Sequence, residues 1–329
     1  MIIDTHAHLV APPGLNATWT TMEAAGTYGG RVRGTFTDDD LLACADRQIG
    51  LMDEVDTDMQ FTSPRPYTLK HSHRPHQVVR WWVQNNNDAL AVQAKGRPDR
   101  IQGIGALPQV AGEPVDVVFE ELDRCLDDLG FIGVLLNPDP GEGHGRTPVM
   151  SDPYWFPLYE KLIEGDVPAL LHGAACYGRE NYSEHFISEE SLAVTTMIRD
   201  GVFDRYPDLK IIVPHGGGSV PYQLGRWVAN WGSRHRLDPA EARESYLGQL
   251  RRFWFDTCLY TPEALELLIK VVGADRVLFG TERPGSGYAF EDLKPVIEKL
   301  DCLDHDGRHA IFEGNARSLY TRATLPGSA

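Results

Sequence analysis

No stretch of the 329-residue sequence stays apolar over the roughly 18 residues that a membrane span requires. The first residues, Met1-Ile2-Ile3-Asp4-Thr5-His6, offer neither a basic opening nor an apolar segment of signal-peptide length, so no leader is expected. Cysteine is sparse and unpaired: Cys44, Cys125, Cys176, Cys258 and Cys302 form no Cys-x-x-Cys motif. An odd, widely spaced set predicts free thiols in a reducing compartment, and hence a cytoplasmic protein. Basic residues are also in deficit, with 31 Lys and Arg against 47 Asp and Glu and a formal charge of −16. That balance argues against nucleic acid or an anionic membrane as partner, because both select a basic surface. A small anionic substrate stays open, since a few Arg and His side chains can reverse the field inside one cleft. Internal repeats and low-complexity tracts are absent, and no glycine-rich dinucleotide fingerprint follows the first apolar run.

What is present is a recurring unit. A short apolar, β-branched run ends in polar residues, and an amphipathic stretch follows. The candidate strands are Met1 to Thr5, Met59 to Ser63, Ile101 to Leu107, Phe131 to Leu136, Ala169 to Leu171, Lys210 to Pro214, Phe253 to Thr257 and Arg276 to Phe279. Between them, Val115 to Asp128, Tyr154 to Ile163, Ser191 to Phe203 and Pro262 to Val272 carry apolar residues at three- and four-residue spacing, as helices packed on a sheet do. This alternation predicts the α/β class and a parallel sheet, and eight units is the number at which such a sheet closes into a (β/α)8 TIM-type barrel. The alternative, an open doubly wound sheet, is weakened by the missing fingerprint. One domain is expected over 1–329, with residues 10–58 an insertion after the first strand that covers the barrel mouth as a lid. Residues 137–153 read as a turn-rich loop, and the tail from Thr321 is expected to fray.

The chemistry gathers at the strand ends. His6 and His8 close the first candidate strand, and residues two apart in an extended chain face the same side. Alone, His-x-His reads equally well as a solvated turn. However, His172 closes the fifth strand, His215 the sixth in Pro214-His215-Gly216-Gly217-Gly218, and Glu282 the eighth. Barrel closure brings these ends to one mouth, where active sites of this architecture lie. Imidazoles with a carboxylate suit Zn2+, with Mn2+, Fe2+ or Co2+ as alternatives, and such an ion acts as a Lewis acid. His215 is either a further ligand or a general acid–base group. Asp256, ending the seventh strand, is expected behind the ligands, orienting His215 or another imidazole. Arg65, between Pro64 and Pro66, reads as a carboxylate clamp or as a surface arginine. Asn137 and His144 read as substrate contacts or as simple turn residues, and Arg283 or Arg179 as further anchors for carboxylates. His71, His73 and His76 are expected on a solvated loop.

The His-x-His opening, the strand-five histidine, the His-Gly-Gly-Gly element with Pro221 and the Phe255-Asp256-Thr257-Cys258 strand resemble the amidohydrolase (metal-dependent hydrolase) superfamily. Within it they are similar to the aminocarboxymuconate-semialdehyde decarboxylase-like branch. Most of that branch carries an aspartate after Gly-Ser on strand eight; here Glu282 follows Gly280-Thr281. Together with Asn137-Pro138-Asp139-Pro140, Ser63-Pro64-Arg65 and Glu313-Gly314-Asn315-Ala316-Arg317, this glutamate resembles the hydratases of the branch. The resemblance implies His6, His8, His172 and Glu282 as zinc ligands, with Arg65 and His215 at the substrate. It also implies a hydro-lyase acting on a small, unsaturated, polycarboxylated keto acid from aromatic breakdown. Nonoxidative decarboxylation and lactone or amide hydrolysis use the same metal set and are the alternatives. The sequence departs from the hydratase pattern over Cys176 to His185, at Phe186 where a tyrosine hydroxyl is expected, and at Arg283-Pro284. A homo-oligomer is the common state of soluble barrels.

Overall fold

The computed structural model describes residues 1–145, 147–285 and 292–326. Eight strands alternate with helices: β1 (Ile3–His8), β2 (Met59–Ser63), β3 (Ile101–Ala106), β4 (Gly133–Leu136), β5 (Ala169–Leu171), β6 (Ile211–Val213), β7 (Trp254–Asp256) and β8 (Val277–Leu278). Each pairs in parallel with the next, in the order β1 to β8. The seam between β8 and β1 is closed by Thr5 N donating to Phe279 O (2.8 Å), Glu282 N to His6 O (2.7 Å) and His8 N to Arg283 O (3.1 Å). The sheet is a closed barrel, as the eight-unit pattern predicts.

The helices are α1 (Pro13–Ala25), α2 (Asp38–Glu54), α3 (His76–Gly96), α4 (Phe119–Asp123), α5 (Phe156–Glu164), α6 (Tyr182–Arg199), α7 (Val202–Arg205), α8 (Leu224–His235), α9 (Pro239–Leu250) and α10 (Pro262–Val272), followed by three single-turn helices. Among the described residues, no helix is long and apolar enough to cross a membrane. Residues 10–58 therefore contain two helices. The second, α2, starts in a Thr37–Asp40 capping box, buries Leu41, Ala45 and Met52, and makes the crossover from β1 to β2. The first, α1, reaches the loop after β2, where Trp19 meets the His73 ring edge-on at 4.9 Å. The tail packs further than expected: Leu325 is buried and Thr324 N donates to Gln102 Oε1, while 327–329 lie outside the described residues.

Two apolar layers follow from strand alternation. Ile3, Met59, Phe61, Ile104, Leu170, Ile212 and Leu278 fill the barrel interior. Val134, Leu136, Ala169, Leu171, Ile211, Val213 and Phe255 face the surrounding helices. The same alternation aims the site. His172, one residue beyond Leu171, returns to the side of Leu170 and so points to the axis. In β1 strict alternation from the inward Ile3 would bring Thr5 and Ala7 inside. The register with β2 shifts between Asp4 and Ala7, with Asp4 opposite Gln60 but His8 opposite Ser63. This one-residue bulge reverses the parity, so that His6 and His8 turn inward instead.

Candidate metal centre

His6, His8, His172 and Glu282 meet at the mouth of the barrel, each offering one donor atom within 4.8 Å of the others. All four are buried, with His6 and His172 at 0% exposure. The ring centroids of His6 lie 5.0 Å from those of His8 and 5.1 Å from His172. Every imidazole is held by its Nδ1. His6 Nδ1 donates to Asp256 Oδ2 at 2.6 Å, His172 Nδ1 to the Gly173 carbonyl at 2.7 Å, and His8 Nδ1 meets Ser63 Oγ at 3.1 Å. A carboxylate and a carbonyl only accept, so Nδ1 of His6 and His172 carries the proton and Nε2 presents a lone pair inward. Those two Nε2 atoms are buried without any hydrogen-bond partner. Orphaned acceptors facing one another are costly unless a cation joins them, so the donor set fits a divalent metal ion. Burial, then the neighbouring imidazoles, lowers the pKa of His8 and His172 well below the ordinary value. They stay neutral, which is the form that ligates.

Among the four donors, Glu282 supplies the negative charge. Its Oε1 lies 4.0 Å from His8 Nε2, 3.9 Å from His172 Nε2 and 3.5 Å from His215 Nε2, and its Oε2 accepts from the Tyr260 hydroxyl at 2.8 Å. Burial opposes its ionisation, yet the His215 hydrogen bond and the surrounding imidazoles hold its pKa well below the carboxylate range. Glu282, His215 and Tyr260 all take positive φ values, of 61°, 50° and 60°. Non-glycine residues adopt that region at a cost, and such residues concentrate where a side chain must be aimed from a strand tip.

His215 stands beside the four donors rather than among them. Its Nδ1 lies 2.9 and 3.1 Å from the two oxygens of Glu190, which is fully buried on α6. Burial pushes Glu190 up to about 7, while Glu190 and Glu282 together outweigh the burial of His215 and raise its pKa well above the usual value. The dyad thus retains a shared proton through the neutral range. Phe186, also on α6, packs edge-on against His172 (4.7 Å) and stacks parallel to His215 (5.9 Å, 11°). Gly218 lets the helix come this close: its φ is +62°, and a Cβ there would lie 2.8 Å from the Ile187 carbonyl.

The remaining expectations separate. Asp256 sits behind the cluster, where of the imidazoles expected there it holds that of His6, and it meets the loop of His215 at Gly216 N, 3.4 Å away. Arg65 is half-buried, donates from Nε to Leu9 O (3.3 Å), and is near enough for its charge to depress His8. The Asn137 amide is engaged by His71 Nδ1 (2.7 Å) and by the Asp139 backbone (3.0 and 3.1 Å). His71, expected on a solvated loop, is therefore buried, its own N–H donating to Glu142. His144 is exposed and stacks on Tyr177 at 6.1 Å, away from the donors. Arg283 donates from a guanidinium nitrogen to Leu51 O of α2 at 3.4 Å. Glu190 and Tyr260 were not singled out in the sequence. Glu190 lies ahead of Ser191, where the apolar helical pattern begins, although Asn181 and Glu184 form a capping box that starts the helix nine residues upstream of it.

Asp256→Asn is expected to weaken metal binding by about 10- to 100-fold, because the His6 ring loses the acceptor that fixes its tautomer. A metal titration of the purified variant reads this directly, and unchanged affinity would remove Asp256 from that role.

The family model for amidohydrolase matches residues 3–322. A 2-keto-4-carboxy-3-hexenedioate hydratase of Sphingobium sp. (strain NBRC 103272 / SYK-6) is 32% identical, over 98% of this chain and 96% of its own. A 2-amino-3-carboxymuconate-6-semialdehyde decarboxylase of Dictyostelium discoideum is 27% identical, over 95% and 90%. The crystal structure of 4-oxalomesaconate hydratase from Rhodopseudomonas palustris superposes with a TM-score of 0.83 at 30% identity, covering 98% of this chain and 96% of that one. With its closed barrel, its complete donor set and a match over nearly its whole length, the chain belongs to the amidohydrolase family.

Proposed function

We propose that this chain is a metal-dependent hydratase that adds water across the electron-poor double bond of a small, unsaturated, polycarboxylated keto acid. One observation carries the reading: the likeness to two hydratases spans 98% of a chain whose strand tips bring four donors together. Zinc is the ion proposed, since three neutral imidazoles and one carboxylate match its preferences. The reading includes a cytoplasmic location, consistent with five free cysteines, and a homo-oligomeric state.

When bound, the ion supplies Lewis acidity, polarising a substrate oxygen and making a water more acidic. The residues of the chain do the rest. Arg65 anchors a substrate carboxylate near His8 and fixes the orientation of the acid. Addition forms a C–O bond at one alkene carbon and delivers a proton to the other. His215, held by Glu190 with its Nε2 turned toward Glu282, is the group that gives or takes that proton. Phe186 covers one face of His215 and of His172 and keeps bulk water from them.

Nonoxidative decarboxylation is the second reading, supported by the 27% identical decarboxylase. Incubating the zinc form with 2-keto-4-carboxy-3-hexenedioate and, separately, with 2,6-dihydroxybenzoate, then following product mass, separates the two. Gain of one water by the first acid is expected. Loss of CO2 from either, with no hydration, overturns the hydratase reading. Glu190→Gln is expected to lower kcat by about 10- to 100-fold with little change in KM, since the variant keeps the shape but no longer supports a charged His215. An unchanged kcat would reduce Glu190 to a packing role.

A further inference from the structure

A second cluster lies outside the centre, in a cavity of about 720 Å3 lined by Asp139, Cys176, Arg179, Glu180, His185 and Glu189 among others. We propose that Asp139, His185 and Glu189 form a second divalent-cation site, which ties the loop after β4 to helix α6. The three offer donor atoms within 4.8 Å of one another. His185 is 2% exposed, and its Nδ1 faces Glu180 Oε2 at 3.4 Å. Its Nε2 is buried and makes no hydrogen bond, as is also true of His6 and His172 in the central site and of His71 and His76 elsewhere; the carboxylate facing it is that of Asp139.

The spacing around that nitrogen is informative. Asp139 Oδ2 lies 3.4 Å from it. A charge-assisted hydrogen bond would be about 2.7–2.9 Å long. Two ligand atoms about 2.0–2.1 Å from a tetrahedral ion are about 3.4 Å apart. The local charge points the same way. Asp139, Glu180 and Glu189 surround one imidazole, and among the described residues Arg179 is the other cationic side chain lining the cavity. These three carboxylates outnumber the cationic groups described in the lining. A cation relieves that excess.

Asp139 is built to be rigid. Its Oδ1 accepts from Gly141 N (3.0 Å) and Thr147 Oγ1 (2.6 Å), and its Oδ2 accepts from Gly143 N (2.7 Å). The helix on the other side carries His185 and Glu189, and the next residue is Glu190, which holds His215. An ion bridging loop and helix therefore steadies the dyad without touching substrate. Two carboxylates and one imidazole suit Mn2+ or Zn2+. The inference stands on this geometry and is independent of the hydratase reading.

The test is metal stoichiometry. Chelator-stripped protein is saturated with Mn2+ or with Zn2+, freed of loose ion by desalting, and analysed for metal per chain. Two equivalents are expected for the unaltered chain with at least one of the two ions. One equivalent is expected for His185→Ala and for Glu189→Gln, the latter being isosteric and on a partly exposed position, and one for Glu282→Ala, which vacates the central site. A single equivalent in the unaltered chain with both ions overturns the proposal and leaves His185 as an imidazolium paired with Asp139 and Glu180. Two equivalents that survive both His185→Ala and Glu189→Gln overturn it equally.

Discussion

Glu282→Ala is expected to release the central ion and to lower kcat/KM by about a thousandfold or more. Glu282 is the only carboxylate among the four central donors, so its loss leaves three neutral rings around a divalent charge. Changes behind the ligands alone cost about 10- to 100-fold in metal affinity, and removing a ligand exceeds that. Tyr260 loses its acceptor as well, and a residue held at φ 61° is replaced by one with no side chain to aim. Metal analysis should show one equivalent fewer than in the unaltered chain, and His6→Ala should behave alike. Unchanged metal content in both variants would remove these residues from the ligand set.

His215→Asn should separate chemistry from metal binding. The amide can still pair with Glu190, but it carries no transferable proton at the position of Nε2. General acid–base groups contribute about 10²- to 10⁴-fold, and a loss of kcat in that range is expected with the metal content unchanged. If metal is lost in proportion to activity, His215 is a fifth ligand and not a proton carrier. The distinction matters because His215 Nε2 lies only 3.5 Å from Glu282 Oε1, closer than the ligand rings do.

The contrast between Glu282 and Glu190 marks how much of this was legible beforehand. Strand tips announce themselves, because an apolar β-branched run that ends in His or Glu places a polar group at the mouth once eight such runs close a ring. On that basis His172, His215 and Glu282 are readable one at a time. The inward turn of His6 and His8 is not, because it depends on a bulge set by pairing with β2, and pairing is non-local. Nor is Glu190, which enters sideways from a helix that follows directly on the loop-like stretch with Gly178 and Asn181. The Asn181–Glu184 capping box was the local signal that would have extended α6 and brought Phe186 and Glu190 into the site. Asp256 is readable as a carboxylate supporting His215 or another imidazole, and the closure of the seam between β8 and β1 makes that ring His6. Segment 10–58 reads in sequence as one insertion because its crossover helix, α2, follows α1 and a glycine-rich link.

Anomalous diffraction from crystals of the metal-loaded protein, recorded at the edge of the added ion, tests the central claim most directly. A peak enclosed by Nε2 of His6, His8 and His172 and the Glu282 carboxylate is the expected result. A fully loaded crystal with no density among these four groups would contradict it.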